Sequence, residues 1–121
     1  MPRPCRATCP RPERIAIPRR AAALITERRE AIARQAAHEG GKPYKDSLVE
    51  FDRGIDGIAS CVEVLRTEAG HVVPMGLNAT SAGRVAFTQH EPIGVVVGVS
   101  AFNHPFNLVV HQLAPAVAAR R

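Results

Sequence analysis

Three cysteines, five histidines and an Asn-His-Pro triplet are the residues of this sequence whose types could carry chemistry. A cysteine acts as nucleophile or metal ligand only as the thiolate, which needs a neighbouring base, cation or metal. Cys5 and Cys9 could form half of a metal site, but no second Cys or His pair follows at zinc-like spacing and no CxxC occurs. Cys61 falls in a helical pattern with Ile58, Val62 and Leu65, where a small buried thiol is the ordinary reading. His38, His71, His90, His104 and His111 scatter over separate segments, as solvated or helix-end histidines do. No metal site is expected. Asn103, two residues before Pro105, reads on the residues alone as the cap of a helix beginning there, with Asn107 as the competing cap. Gly94 and Gly98 do not complete a G-x-G-x-x-G phosphate loop.

The formal charge of +5 on 121 residues raises nucleic acid or an anionic membrane as partner, so its location matters. It lies at the front: Arg3, Arg6, Arg11, Arg14, Arg19 and Arg20 face only Glu13 in the first 20 residues, and the remainder is balanced. Five of the ten prolines share that stretch, and a Pro/Arg mixture without apolar periodicity buries too little surface to offset its ordering entropy. Residues 1–12 are therefore expected to be a disordered basic tail, and residues 13–121 one small domain or a piece of a larger one. The tail has no interleaved aromatics and no recognition motif, so no nucleic-acid partner is expected. It lacks the serines and helical pattern of a transit peptide, no segment resembles a signal peptide or membrane span, and the odd cysteine set fits a reducing cytoplasm.

The elements that would position these residues follow from periodicity. Ala21, Leu24, Ile25, Ala31, Ile32 and Ala36 share one helical face between Ile17 and His38, and Gly40, Gly41 and Pro43 end it. A second amphipathic helix is predicted from Pro43 to about Glu68 through Leu48, Phe51, Ile55, Ile58, Val62 and Leu65, weakened by Gly54 and Gly57. Pro74, Gly76, Asn78, Ser81 and Gly83 mark a loop, and alternation over Arg84 to Glu91 predicts a strand. Pro92 and Gly94 flank a turn, and the β-branched run Val95 to Val99 predicts a strand buried on both faces of an α/β sheet. A final helix is predicted from about Pro105 through Leu108, Val109, Leu113 and Val117, interrupted or shifted by Pro115.

Four stretches in this order resemble the NAD(P)-dependent aldehyde dehydrogenase superfamily: HEGGKP (His38 to Pro43), EPIGVVVGVS (Glu91 to Ser100), AFNHPFN (Ala101 to Asn107) and LAPAVAA (Leu113 to Ala119). The resemblance runs from about Glu13 to Ala119. It implies an α/β fold, here the incomplete N-terminal part of a cofactor-binding open α/β domain, with two amphipathic helices followed by strands and a helix. Residues near Arg84 to Glu91 would contribute to a β-arm for oligomerisation, and Val95 to Val99 would be a strand of the sheet. Open α/β sheets bind ligands outside the carboxyl ends of their strands, where Ser100 to Asn103 would lie.

The activity implied is oxidation of a small-molecule aldehyde to a carboxylic acid with NAD or NADP, by a Cys thiolate, hydride transfer, and hydrolysis assisted by a Glu base. Asn103 matches the family's oxyanion-binding Asn, whose carboxamide donates to the oxygen that becomes negative on attack. Ser100, Ala101 and Phe102 match positions whose backbone approaches the cofactor, although Phe102 stands where a Trp is commoner. Gln112 stands where many members carry a Lys, so any proton-relay role of that Lys is not carried over. The ribose-binding Lys, the Gly-rich turn, the Glu base and the nucleophilic Cys of the family would lie further on, and none of Cys5, Cys9 and Cys61 matches the nucleophile. The resemblance thus implies a chain inactive by itself, poorly soluble, and without the family's homo-oligomeric assembly. The competing reading is a non-catalytic helical and α/β interaction module with a basic tail, which cooperative unfolding of a soluble monomer would favour.

Overall fold

The computed structural model describes residues 9–91 and 93–119. Four helices, α1 (Arg11–Glu27), α2 (Arg29–Gly40), α3 (Tyr44–Thr67) and α4 (Pro105–Ala119), surround one core, and β1 (Val72–Val73) and β2 (Ala86–Phe87) form a small ribbon. None of the described helices is long and apolar enough to cross a membrane.

α1 begins at Arg11, inside the stretch expected to be disordered, so that expectation is corrected for Arg11 and Pro12; residues 1–8 lie outside those described. The reason is tertiary. Buried Arg14 donates to the carbonyl of Ala118 at 2.8 Å, setting a guanidinium against the negative end of α4, and Arg11 donates to the carbonyl of Glu68 at 3.2 Å. The single helix predicted over residues 17–38 is two helices joined at Arg28. Five polar residues in a row, Thr26 to Glu30, leave that turn without an apolar anchor. The Arg28 N–H is shared between the carbonyls of Leu24 and Ile25, and Arg29 then grips Asp52 of α3 through Nε and a terminal nitrogen at 2.7 and 2.6 Å. α2 ends at Gly41, whose φ of +65° is the left-handed cap that glycine takes without cost.

α3 is the hub. Its buried residues Ser47, Glu50, Phe51, Gly54, Ile58, Val62 and Leu65 recur at helical spacing and face α1, α2 and α4. α4 runs unbroken through Pro115, correcting the predicted interruption; Pro115 and His111, whose carbonyl loses its helical donor to the proline, are both exposed residues, where such a loss costs least.

The β prediction is corrected in extent. Of Arg84 to Glu91 only Ala86 and Phe87 are strand, paired antiparallel with Val73 and Val72, for which no strand is predicted from the sequence. The ribbon is extended by the Thr88 N–H donating to the His71 carbonyl at 2.8 Å. Val95 to Val99 has no ladder partner among the described residues, and Val95 is 96 % exposed, so the expected burial does not occur here. A strand closes its hydrogen bonds only on a neighbour, and none of the described elements lies beside this run as one.

Glycine is required at position 70, where a Cβ would overlap the Thr88 carbonyl oxygen. The substitution Gly70→Ala is expected to open the ribbon: exchange of the Thr88 amide should accelerate about tenfold while the helical amides keep their protection, as read by hydrogen exchange.

Candidate functional site

The four residues singled out for function, Ser100, Ala101, Phe102 and Asn103, fall together in one exposed turn that leads into α4. Phe102 is 88 % exposed. The Ser100 hydroxyl donates to the carbonyl of Pro105 at 2.6 Å, so its oxygen is tied to the first turn of the helix that follows. No hydrogen bond reaches the Asn103 carboxamide among the described residues.

Neither Asn103 nor Asn107 caps α4. The first free amides of this helix, those of Phe106 and Asn107, donate instead to one carboxylate oxygen of Glu50, at 2.7 and 3.0 Å. Asn107 lies within the first turn, and its Oδ1 is buried without a partner among the described residues, which corrects the cap reading for it. An anion at a helix N-terminus satisfies orphan amides and meets the positive end of the helix dipole. Glu50 does this from α3, through space.

The other oxygen of Glu50 receives the ammonium of Lys42, which also bonds Nδ1 of His104 at 2.8 Å, and that same His104 nitrogen lies 3.6 Å from Glu50. Since Lys42 has only donors, His104 accepts through Nδ1 in this arrangement. The Glu50 side chain is fully buried and that of Lys42 is 15 % exposed. Burial pushes the Glu50 carboxyl up, but the Lys42 hydrogen bond and charge and the amides of Asn107 and Phe106 outweigh it, leaving the carboxyl below its ordinary value.

This cluster explains why HEGGKP and AFNHPFN meet. Lys42 comes from the first and His104 from the second, and Gly40 lies beside the second stretch, where a Cβ would make an ordinary contact of 3.7 Å with the Phe102 carbonyl oxygen. Sequence reasoning missed Glu50, Lys42 and His104 as a unit. The available signal was an acidic residue one position before Phe51 on the apolar stripe of α3, where a charge is buried only if paired.

Elsewhere the chemistry is quiet. Cys61 lines a shallow depression with Ser60, Val110, His111 and Pro115, and burial pushes its thiol up, away from the nucleophilic thiolate. His90 pairs with Glu68 at 3.0 Å. Among the described residues no group of three or more His, Cys, Asp and Glu is placed to hold a metal ion.

The turn can hold an uncharged part of a ligand and offer one neutral amide donor. Its one aromatic ring, that of Phe102, is exposed, and residues 100–103 carry no charged side chain.

Compared with known proteins, residues 5–120 match the aldehyde dehydrogenase family. A 3-sulfolactaldehyde dehydrogenase of Priestia aryabhattai is 37 % identical over 107 residues, which are 88 % of this chain and 22 % of that protein. The crystal structure of aldehyde dehydrogenase 21 from Physcomitrella patens, in complex with the reaction product succinate, superposes with a TM-score of 0.90 at 35 % identity, covering 97 % of this chain and 24 % of that one. An NADP-dependent glyceraldehyde-3-phosphate dehydrogenase from Bacillus halodurans, complexed with NADP, gives 0.86 at 30 % identity over 93 % of this chain and 24 % of that one. The chain therefore spans about a quarter of the length of the proteins it matches, and its α/β class is that of the N-terminal part of their fold.

Proposed function

The chain belongs to the aldehyde dehydrogenase family, and on that premise we propose that residues 13–121 are the N-terminal portion of a cofactor domain in an enzyme oxidising an aldehyde to a carboxylic acid. NAD or NADP, when bound, supplies the hydride acceptor. Ser100, Ala101 and Phe102 would hold it, the main chain and the Phe102 ring lying against its uncharged parts. Asn103 donates a hydrogen bond from its side-chain amide to the aldehyde oxygen as that oxygen becomes an oxyanion, and being neutral it has no proton to lose in doing so. The exposed ribbon β1–β2 supports a place in an oligomerisation arm, and the cysteine usage supports a cytoplasmic setting.

One observation carries this reading. α4 already has its capping anion in Glu50, so the Asn103 carboxamide, at the entry to the same helix, is released from the structural duty its position would otherwise impose.

The test is a chimaera in which residues 9–119 replace the matching segment of the Priestia aryabhattai 3-sulfolactaldehyde dehydrogenase. Asn103→Ala is expected to lower kcat by about 10²–10³ while changing KM far less, as loss of one oxyanion donor does. An unchanged kcat would remove Asn103 from the chemistry.

A further inference from the structure

Val99 lacks a neighbouring strand among the described residues, yet its main chain is not unpaired. Its N–H donates to Oε1 of Gln112 at 2.7 Å, and its carbonyl accepts from Nε2 of the same side chain at 2.8 Å. Both main-chain groups of one residue are thus engaged by one carboxamide, which reproduces the pair of bonds that a residue of an antiparallel strand would exchange. Gln112 sits on α4 two turns beyond Pro105, so the bond fastens the end of the Val95–Val99 run to the helix that the next turn leads into.

The approach is close. A Cβ on Gly98 would stand 3.1 Å from both Gln112 Oε1 and Leu113 Cδ2, a separation tighter than ordinary carbon contacts, so glycine at 98 lets the main chain lie down on α4. At the other end of the turn, Ser100 is bonded to Pro105 and Glu50 holds the amides of Phe106 and Asn107. Residues 100–104 are therefore a loop closed at both ends onto a single helix, with the Asn103 side chain left unbound.

We propose that Gln112 is a positioning residue: its carboxamide clamps the Val99 main chain and so fixes where the Ser100–Asn103 turn leaves α4. This rests on the reading of Asn103 given above for its catalytic meaning, though not for its geometry. Only a side chain carrying donor and acceptor together can make both bonds. Glutamate keeps the acceptor for the N–H and loses the donor, and methionine keeps the length and loses both.

Amide hydrogen exchange by NMR on the full 121-residue chain tests the clamp. In the parent, the Val99 amide should exchange more slowly than its flanking Val97 amide by about tenfold, the factor one hydrogen bond supplies. Gln112→Met should remove that protection and shift the resonances of Ser100 to Asn103, while the amides in the middle of α3 keep their rates, which separates the clamp from general destabilisation. Gln112→Glu should retain the slow Val99 amide. Equal Val99 rates in the parent and Gln112→Met chains, or resonances of Ser100 to Asn103 that stay in place, would overturn the proposal. Because none of these readouts involves turnover, an unchanged kcat in the Asn103→Ala chimaera would sink the catalytic reading and leave the clamp standing.

Discussion

Replacing Glu50 with leucine is expected to cost about 3–5 kcal/mol of stability, the range for removing one partner of a buried ion pair. Leucine fits the apolar surroundings, but it strands the Lys42 ammonium, which is only 15 % exposed, and orphans the amides of Phe106 and Asn107. Glu50→Gln keeps an acceptor for those amides and loses the charge, so its cost should be smaller, about 1–3 kcal/mol. Denaturant unfolding monitored by circular dichroism distinguishes the two. The carboxyl also sets an acid limit. Its value in the folded chain lies below the ordinary 4.5, so its contribution is complete above about pH 4.5 and disappears as the pH falls through the lower folded value. Stability of the parent should consequently fall more steeply below about pH 4.5 than that of Glu50→Gln. Parallel curves would show that the carboxylate is not the group responsible.

The second large effect is at Gly54. Helix propensity alone predicts that alanine in mid-helix gains about 0.5–1 kcal/mol over glycine. Packing reverses the sign. A Cβ at position 54 would stand 2.8 Å from Cδ1 of Phe106 and closer still to Cε1, and that ring cannot retreat because it is stacked on Phe51 with centroids 4.0 Å apart and planes 2° from parallel. Gly54→Ala should therefore destabilise by about 1–3 kcal/mol, as overpacking of a filled core does. Gly57 is the internal control: a Cβ there meets Val110 Cγ1 at 3.7 Å, an ordinary contact, so Gly57→Ala should stabilise by about 0.5–1 kcal/mol. Opposite signs in the unfolding midpoints, one helical turn apart, are the expected result. A stabilised Gly54→Ala chain would mean that α3 and α4 do not approach as closely as their rings require.

These two positions also show where reading the sequence runs out. Gly54 reads as a weakness in a helical pattern and Glu50 goes unmarked, because one-dimensional periodicity reports only an element's own polar and apolar faces. Glu50 is buried by groups 8 residues before it and 56 residues after it, and no local pattern encodes those meetings. The amphipathic stripe of α3, the left-handed glycine closing α2 and the loop-to-helix entry at Asn103 to Pro105 were legible, since each depends on neighbours within a few positions of the chain. The family resemblance was legible for a related reason: its motifs are short, and their order survives without coordinates.

What the sequence by itself determined is thus the local content: four stretches that recur in a known order, helices with one apolar face, and a turn carrying an exposed carboxamide. Only the tertiary structure decided that Arg14 would order the start of α1, that Glu50 would relieve Asn103 of capping, and that Val95 to Val99 would carry strand-like residues without strand partners among the described residues. The physical reason is common to all three. A helix closes its hydrogen bonds within itself, so its residues largely declare it, whereas a buried charge, a helix cap supplied from elsewhere and a β-strand are each completed by groups distant in the chain.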